Sequence, residues 1–188
     1  ASIAGSDETK VIADTRTNSL IVKASKFGVQ QIRELVAKLD TPLPGGEGNP
    51  SLAPDGESFV FVKRDGGDAD LFLQRIDGAK PIPLTADCAQ DDTDPEFSPD
   101  GRTIAYRSEC GGGGIFVMGA TGESSRRVTD FGYAPAWSPD ALELAVVTED
   151  SGPPTSRNSL SELWAVKLDS GARRRVSPYD TMAPTWSP

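Results

Sequence analysis

Short runs in which apolar and polar residues alternate cover most of the chain, and they come in a repeating order. Residues 58–63, 103–108 and 142–148 each read as a strand with one buried face, because side chains of an extended chain point to opposite sides in turn. Each is followed, after a loop, by a second such run at 70–76, 114–119 and 162–168. A turn at Asp77-Gly78, Thr121-Gly122 or Ser170-Gly171 then leads into a last short strand ending near Thr85, Thr129 or Ser177. The first 49 residues follow another plan. Residues 10–13 and 19–24 are rich in β-branched side chains and flank a polar turn at 14–18, which predicts a hairpin. From Lys26 the apolar positions become Val29, Ile32, Leu35, Val36 and Leu39, one stripe on a helix that Ser25 is placed to cap and that Pro42, Pro44 and Gly45-Gly46 end. A single helix on a hairpin buries too little surface to be stable alone, so the stripe requires a further partner.

A repeated motif opens each group of strands. Pro50-Ser51-Leu52-Ala53-Pro54-Asp55-Gly56, Pro95-Glu96-Phe97-Ser98-Pro99-Asp100-Gly101, Pro135-Ala136-Trp137-Ser138-Pro139-Asp140-Ala141 and Pro184-Thr185-Trp186-Ser187-Pro188 recur at spacings of 45, 40 and 49 residues. Proline fixes φ near −65°, aspartate bonds back onto its own turn, and glycine takes the positive φ that reverses the chain, so the motif builds a hairpin. Ala141 stands where the other turns have glycine, and a positive φ there costs about 1–2 kcal/mol. Leu52, Phe97, Trp137 and Trp186 are expected to point from the first strand into the core between units. A period of this length with four strands is that of a β-propeller blade. The fold class predicted is mainly β: three blades (50–94, 95–134 and 135–183) and the first strand of a fourth (184–188), preceded by a ββα segment and Pro/Gly linker over 1–49.

The repeats, with Ile115-Phe116-Val117-Met118-Gly119-Ala120-Thr121-Gly122 and Arg126-Arg127-Val128-Thr129-Asp130-Phe131-Gly132-Tyr133 as their fullest stretch, resemble TolB-type propeller repeats over residues 50–188. They are similar to the sensor-like propellers that accompany some bacterial kinases and regulators. The resemblance implies a binding or scaffolding role, and the same repeat type also covers the active site of prolyl-oligopeptidase-like enzymes. Residues 11–22 and 32–42, with Asp14, Arg16, Thr17, Asn18, Ser19 and Leu20 and the closing Leu39-Asp40, resemble half of the short N-terminal domain of bacterial secretins, which implies a ring-forming context. The junction of the two patterns at Asn49-Pro50 and the open blade count predict a shared ring, a capped blade edge, a fragment or a recombined chain.

Composition narrows the chemistry. Among 188 residues there is no histidine, which removes Ser-His-Asp and Cys-His catalysis and histidine-ligated metals. No kinase loop motif or activated serine is present, and the chain is read as non-catalytic with no cofactor. The formal charge of −9 resides in residues 50–188, since the first 49 hold equal numbers of basic and acidic groups, and it opposes nucleic-acid binding. No apolar run reaches the roughly 20 residues of a membrane helix, and no signal peptide is visible, so an exported protein is expected here in its mature form.

The cysteines, Cys88 and Cys110, fall in loops on one side of the second blade. They read either as a disulfide of an exported, periplasmic or extracellular protein or as two thiols of a reducing compartment. Asp87, Asp91, Asp92 and Asp94 form the densest acidic cluster and a weak candidate for calcium, with a spacing that is not that of an EF-hand. A solvated acidic connection is the plainer reading. Gly111-Gly112-Gly113-Gly114 reads as a tight loop, Arg173-Arg174-Arg175 as a solvated outer strand, and residues 149–161 as the largest excursion from the repeat. The expected function is protein recognition by a rigid loop surface. Alternatives are a self-assembling ring or filament subunit, including a homodimer that completes a propeller, and a fragment of a propeller-bearing sensor kinase or peptidase.

Overall fold

The computed structural model describes residues 10–14, 19–23, 50–64, 67–78, 80–149, 160–181 and 183–186. The chain divides into two units, Ala1–Pro42 and Leu43–Pro188. In the first, β1 (Lys10–Asp14) pairs antiparallel with β2 (Ser19–Lys23) from Lys10↔Lys23 to Asp14↔Ser19, the hairpin that the β-branched runs predict. The helix expected from Lys26 lies outside the described residues.

The second unit realises the four-strand repeat. Blade 1 is a sheet of β3 (Ser51–Leu52), β4 (Ser58–Arg64), β5 (Ala69–Arg75) and β6 (Ile82–Pro83). Blade 2 is β7 (Asp92–Phe97), β8 (Thr103–Ser108), β9 (Gly114–Gly119) and β10 (Arg126–Arg127). Blade 3 is β11 (Tyr133–Trp137), β12 (Glu143–Val147), β13 (Leu163–Lys167) and β14 (Arg173–Ser177). All three are antiparallel meanders in sequence order, so each is a mainly β propeller blade. The outermost strands β6 and β10 are two residues long, and Pro83 sits on such an edge, where its missing N–H breaks no ladder.

Alternation along the strands builds two interfaces. Val60, Val62 and Leu71 of blade 1 meet Phe97, Ile104, Tyr106 and Met118 of blade 2. On the other face of blade 2, Ala105, Ile115 and Val117 meet Trp137, Leu144, Val146 and Val166 of blade 3. Neighbouring residues of one strand thus serve opposite interfaces, as the period of two requires. Phe97 and Trp137 are buried in the interface with the preceding blade, at 7% and 6% exposure. Leu52 departs from the expectation and is 45% exposed. The side chain at this position packs against the blade before it, and among the described residues no blade stands before blade 1.

The hairpin turns show why the motif recurs. The amides of Gly56, Gly101 and Ala141 donate to the carbonyls of Ala53, Ser98 and Ser138 at 2.8–2.9 Å, with φ of 70°, 71° and 59°. The carboxylates of Asp55, Asp100 and Asp140 accept the amides of Glu57, Arg102 and Leu142. In blades 2 and 3 the buried hydroxyls of Ser98 and Ser138 donate to Asp100 and Asp140 and accept the amides of Thr103 and Glu143, which satisfies them on both sides. These hydroxyl bonds hold both carboxyls below the usual range.

Candidate functional site

The first strands of successive blades pack beside one another and form the inner lining of the unit. Each contains or directly follows the repeated proline, and in blades 2 and 3 the pairing slips there. The register of β7 on β8 shifts between Thr93 and Glu96, and that of β11 on β12 between Tyr133 and Ala136. The residue before the proline absorbs both slips, Asp94 with φ 50° and Ala134 with φ 46°, and Ala183, before Pro184, has the same left-handed form with φ 47°. A left-handed conformation costs a non-glycine residue about 1–2 kcal/mol, so packing holds these three positions in a strained form. Bulges of this kind bend a strand and turn its side chains. All three residues, with their prolines and Glu96, line one cleft of about 500 Å³ that runs across the inner edges of the blades.

The cleft is stapled together by one recurrent contact. The Phe97 amide donates to Ser51 Oγ at 3.0 Å, the Trp137 indole N–H to the Glu96 carbonyl at 3.0 Å, and the Trp186 indole N–H to the Ala136 carbonyl at 2.9 Å. Each joins a motif position to the residue before the same position in the preceding blade. The Ala134 amide also donates to Asp94 Oδ2 at 3.3 Å. Glu96 is partly buried, and burial pushes its carboxyl up to about 7, against a smaller lowering by a hydrogen bond from the Trp137 backbone. The result is a stiff, proline-lined, acidic concavity able to accept hydrogen bonds and positive charge.

The four aspartates of the sequence cluster are sent to different places. Asp91 accepts two bonds from the Arg64 guanidinium, at 3.0 and 2.8 Å, and the Ala69 amide at 2.9 Å, and the Arg64 bonds hold its carboxyl below the usual range. Asp92 is buried in β7, Asp94 lies in the inner cleft, and Asp87 is exposed. Among the described residues no three acidic or cysteine side chains converge to hold a metal. Cys88 and Cys110 are joined as a disulfide with their Cα atoms 6.4 Å apart. Gly111, Gly112, Gly113 and Gly114 all have positive φ, and the carbonyls of Gly111 and Gly113 accept the Arg127 guanidinium, so the loop turns acceptors to a cation. Arg173, Arg174 and Arg175 pair with Asp130, Glu143 and Glu162. The excursion at 149–161 lies largely outside the described residues.

Sequence reasoning missed Glu96, Ala134 and Ala183 as site residues. The available signal was positional: each adjoins a proline that recurs in every repeat.

The TolB beta propeller domain family matches residues 16–152. The uncharacterized peptidase YuxL of Bacillus subtilis (strain 168) is 31% identical over 109 residues, covering 52% of this chain and 16% of its own. The crystal structure of TolB from Acinetobacter baumannii superposes with a TM-score of 0.62 at 20% identity, over 94% of this chain and 39% of that one. An oligogalacturonate lyase in complex with manganese superposes with a TM-score of 0.58 at 14% identity, over 94% and 48%. At these identities the structural likeness is one of fold. The chain spans less than half the length of each of these proteins.

Proposed function

The chain belongs to the TolB beta propeller domain family, and on that premise we propose that it is a protein-interaction module whose inner cleft receives an extended stretch of a partner polypeptide. The observation that carries this reading is the convergence of three strained residues, Asp94, Ala134 and Ala183, on one cleft with Glu96. A concavity already fixed by interblade staples binds a flexible chain without itself being ordered, which keeps the cost on the partner's side. Its acidic groups and the −9 charge of the chain favour a segment carrying lysine or arginine. The residues of this segment supply no histidine to catalysis, so a hydrolase activity of a longer protein would use groups elsewhere. The Cys88–Cys110 disulfide supports an extracytoplasmic setting. The test is a selection of displayed random peptides on the full chain. Basic, extended binders that are lost on Glu96→Lys support the proposal, and binders indifferent to that change overturn it.

A second reading is favoured by Leu52. Its 45% exposure at a position buried in blades 2 and 3 favours coupling of blade 1 to another propeller segment, including a second copy of this chain. Light scattering over a range of concentrations tests it: a dimer supports the coupling, and a monomer at all concentrations excludes self-pairing.

A further inference from the structure

Away from the inner cleft, a carboxylate is enclosed between blades 1 and 2 with one oxygen unsatisfied. Asp92 is 2% exposed, and its Oδ1 has no hydrogen-bond partner. Buried polar atoms are almost always paired, so an orphan carboxylate oxygen requires an explanation. The blade plan does not supply one. Asp92 stands three residues before Pro95, and the residue three before Pro135 in the next blade is Gly132, which shows that this position needs no carboxylate to fold.

The surroundings of Asp92 are oxygen-rich. The hydroxyls of Thr85 and Ser108 flank its carboxylate, and Thr85 Oγ1 also lies 3.4 Å from Asp70 Oδ1, so one hydroxyl serves two carboxylates. Asp68 adds negative charge from nearby. The neighbouring guanidinium of Arg64 is turned to Asp91, which it grips through both terminal nitrogens. Burial accordingly pushes Asp92 up to about 6 and raises Asp70 as well, the signature of charge that lacks a counter-ion.

We propose that Asp92 and Asp70, with the hydroxyls of Thr85 and Ser108, form a binding site for a small divalent cation of the calcium type. Two carboxylates balance a double positive charge, the protein donors are all oxygen, and water completes the coordination that hard cations require. A water molecule alone would satisfy Oδ1 but would leave both negative charges in place. The four donors come from β5, the loop after β6, β7 and the end of β8, so the ion joins blade 1 to blade 2. The Cys88–Cys110 disulfide ties the same loop to the turn that follows Ser108.

The experiment uses the full chain, stripped with EGTA and titrated with calcium chloride by calorimetry, with thermal unfolding recorded in parallel. One calcium ion per chain and a raised unfolding midpoint are expected. Asp92→Asn abolishes both, Asp70→Asn weakens binding at least tenfold, and Asp55→Asn, at a hairpin turn outside this donor set, leaves it unchanged. No response to millimolar calcium, or an equal response in Asp92→Asn, overturns the proposal. Stabilisation below pH 6 without any calcium effect also overturns it and assigns a proton to the site. Should Asp92→Asn fail to fold, unchanged affinity in Asp70→Asn overturns it equally.

Discussion

The indole N–H of Trp137 donates to the backbone carbonyl of Glu96 3.0 Å away, and so joins the motif aromatic of blade 3 to the inner strand of blade 2. Trp186 repeats the bond on Ala136. Trp137→Phe keeps an aromatic ring in the interface and removes the donor, which is expected to cost about 1 kcal/mol. Trp137→Ala also empties the interface and is expected to cost about 3–5 kcal/mol. Urea unfolding of the two variants separates the terms, and a Phe variant as stable as the parent would show that the bond contributes nothing.

Ala141→Gly is expected to stabilise the fold. The φ of 59° at Ala141 matches that of Gly56 and Gly101 in the equivalent turns, and relief of about 1–2 kcal/mol is offset in part by the loss of a methyl group that packs on the second core. A net gain of about 1 kcal/mol should appear as a higher unfolding midpoint. A lower midpoint would mean that the methyl contact outweighs the strain.

Stability should fall as pH rises between about 5 and 7. Glu96 is held at about 7 in the fold against an ordinary 4.5, so the unfolded chain releases this proton first and gains relative to the native state across that window. Asp92, raised to about 6, acts the same way over a lower range. The lowered carboxyls of Asp91, Asp100 and Asp140 oppose this only in more acid solution. Denaturant titrations in EGTA at pH 5, 6, 7 and 8 check the slope. Glu96→Gln should flatten its upper part, and a slope unchanged by that substitution would remove Glu96 as its source.

Reduction of Cys88–Cys110 is expected to lower stability by about 3 kcal/mol, the chain-entropy value for a loop of roughly this length. Unfolding with and without dithiothreitol measures it, with the double Cys88→Ala, Cys110→Ala variant as control. Reduction without loss would show that the Arg127 bonds to the glycine loop suffice to hold the rim.

The strands were legible where two signals coincide. For β8 and β9 the alternation of Thr103–Ser108 and Gly114–Gly119 is bounded by turn residues, and the expected limits are those observed. The outermost strands were less legible, since β6 and β10 bond on one side only and carry little apolar pattern. The burial expected for Leu52 failed because that position depends on a neighbour the motif does not encode. The acidic cluster is dispersed for a geometric reason: Asp91 directly precedes β7 and Asp92 begins it, adjacent residues of an extended chain face opposite ways, and the register shift between Thr93 and Glu96 redirects Asp94. The left-handed form of Ala134 and Ala183 was invisible, because alanine gives no hint of positive φ, and at Ala134 the bulge that accompanies it is a property of the sheet.

A partner chain that binds in the inner cleft leaves its mark on the amides that line it. Hydrogen exchange of the full chain with and without a basic, extended peptide obtained by selection tests this binding most directly. Binding should slow exchange at the amides around Asp94, Glu96, Ala134 and Thr185 and leave the outer strands unchanged. Protection confined to the outer grooves between blades, or to the loop rim at Cys110–Gly114, would contradict it.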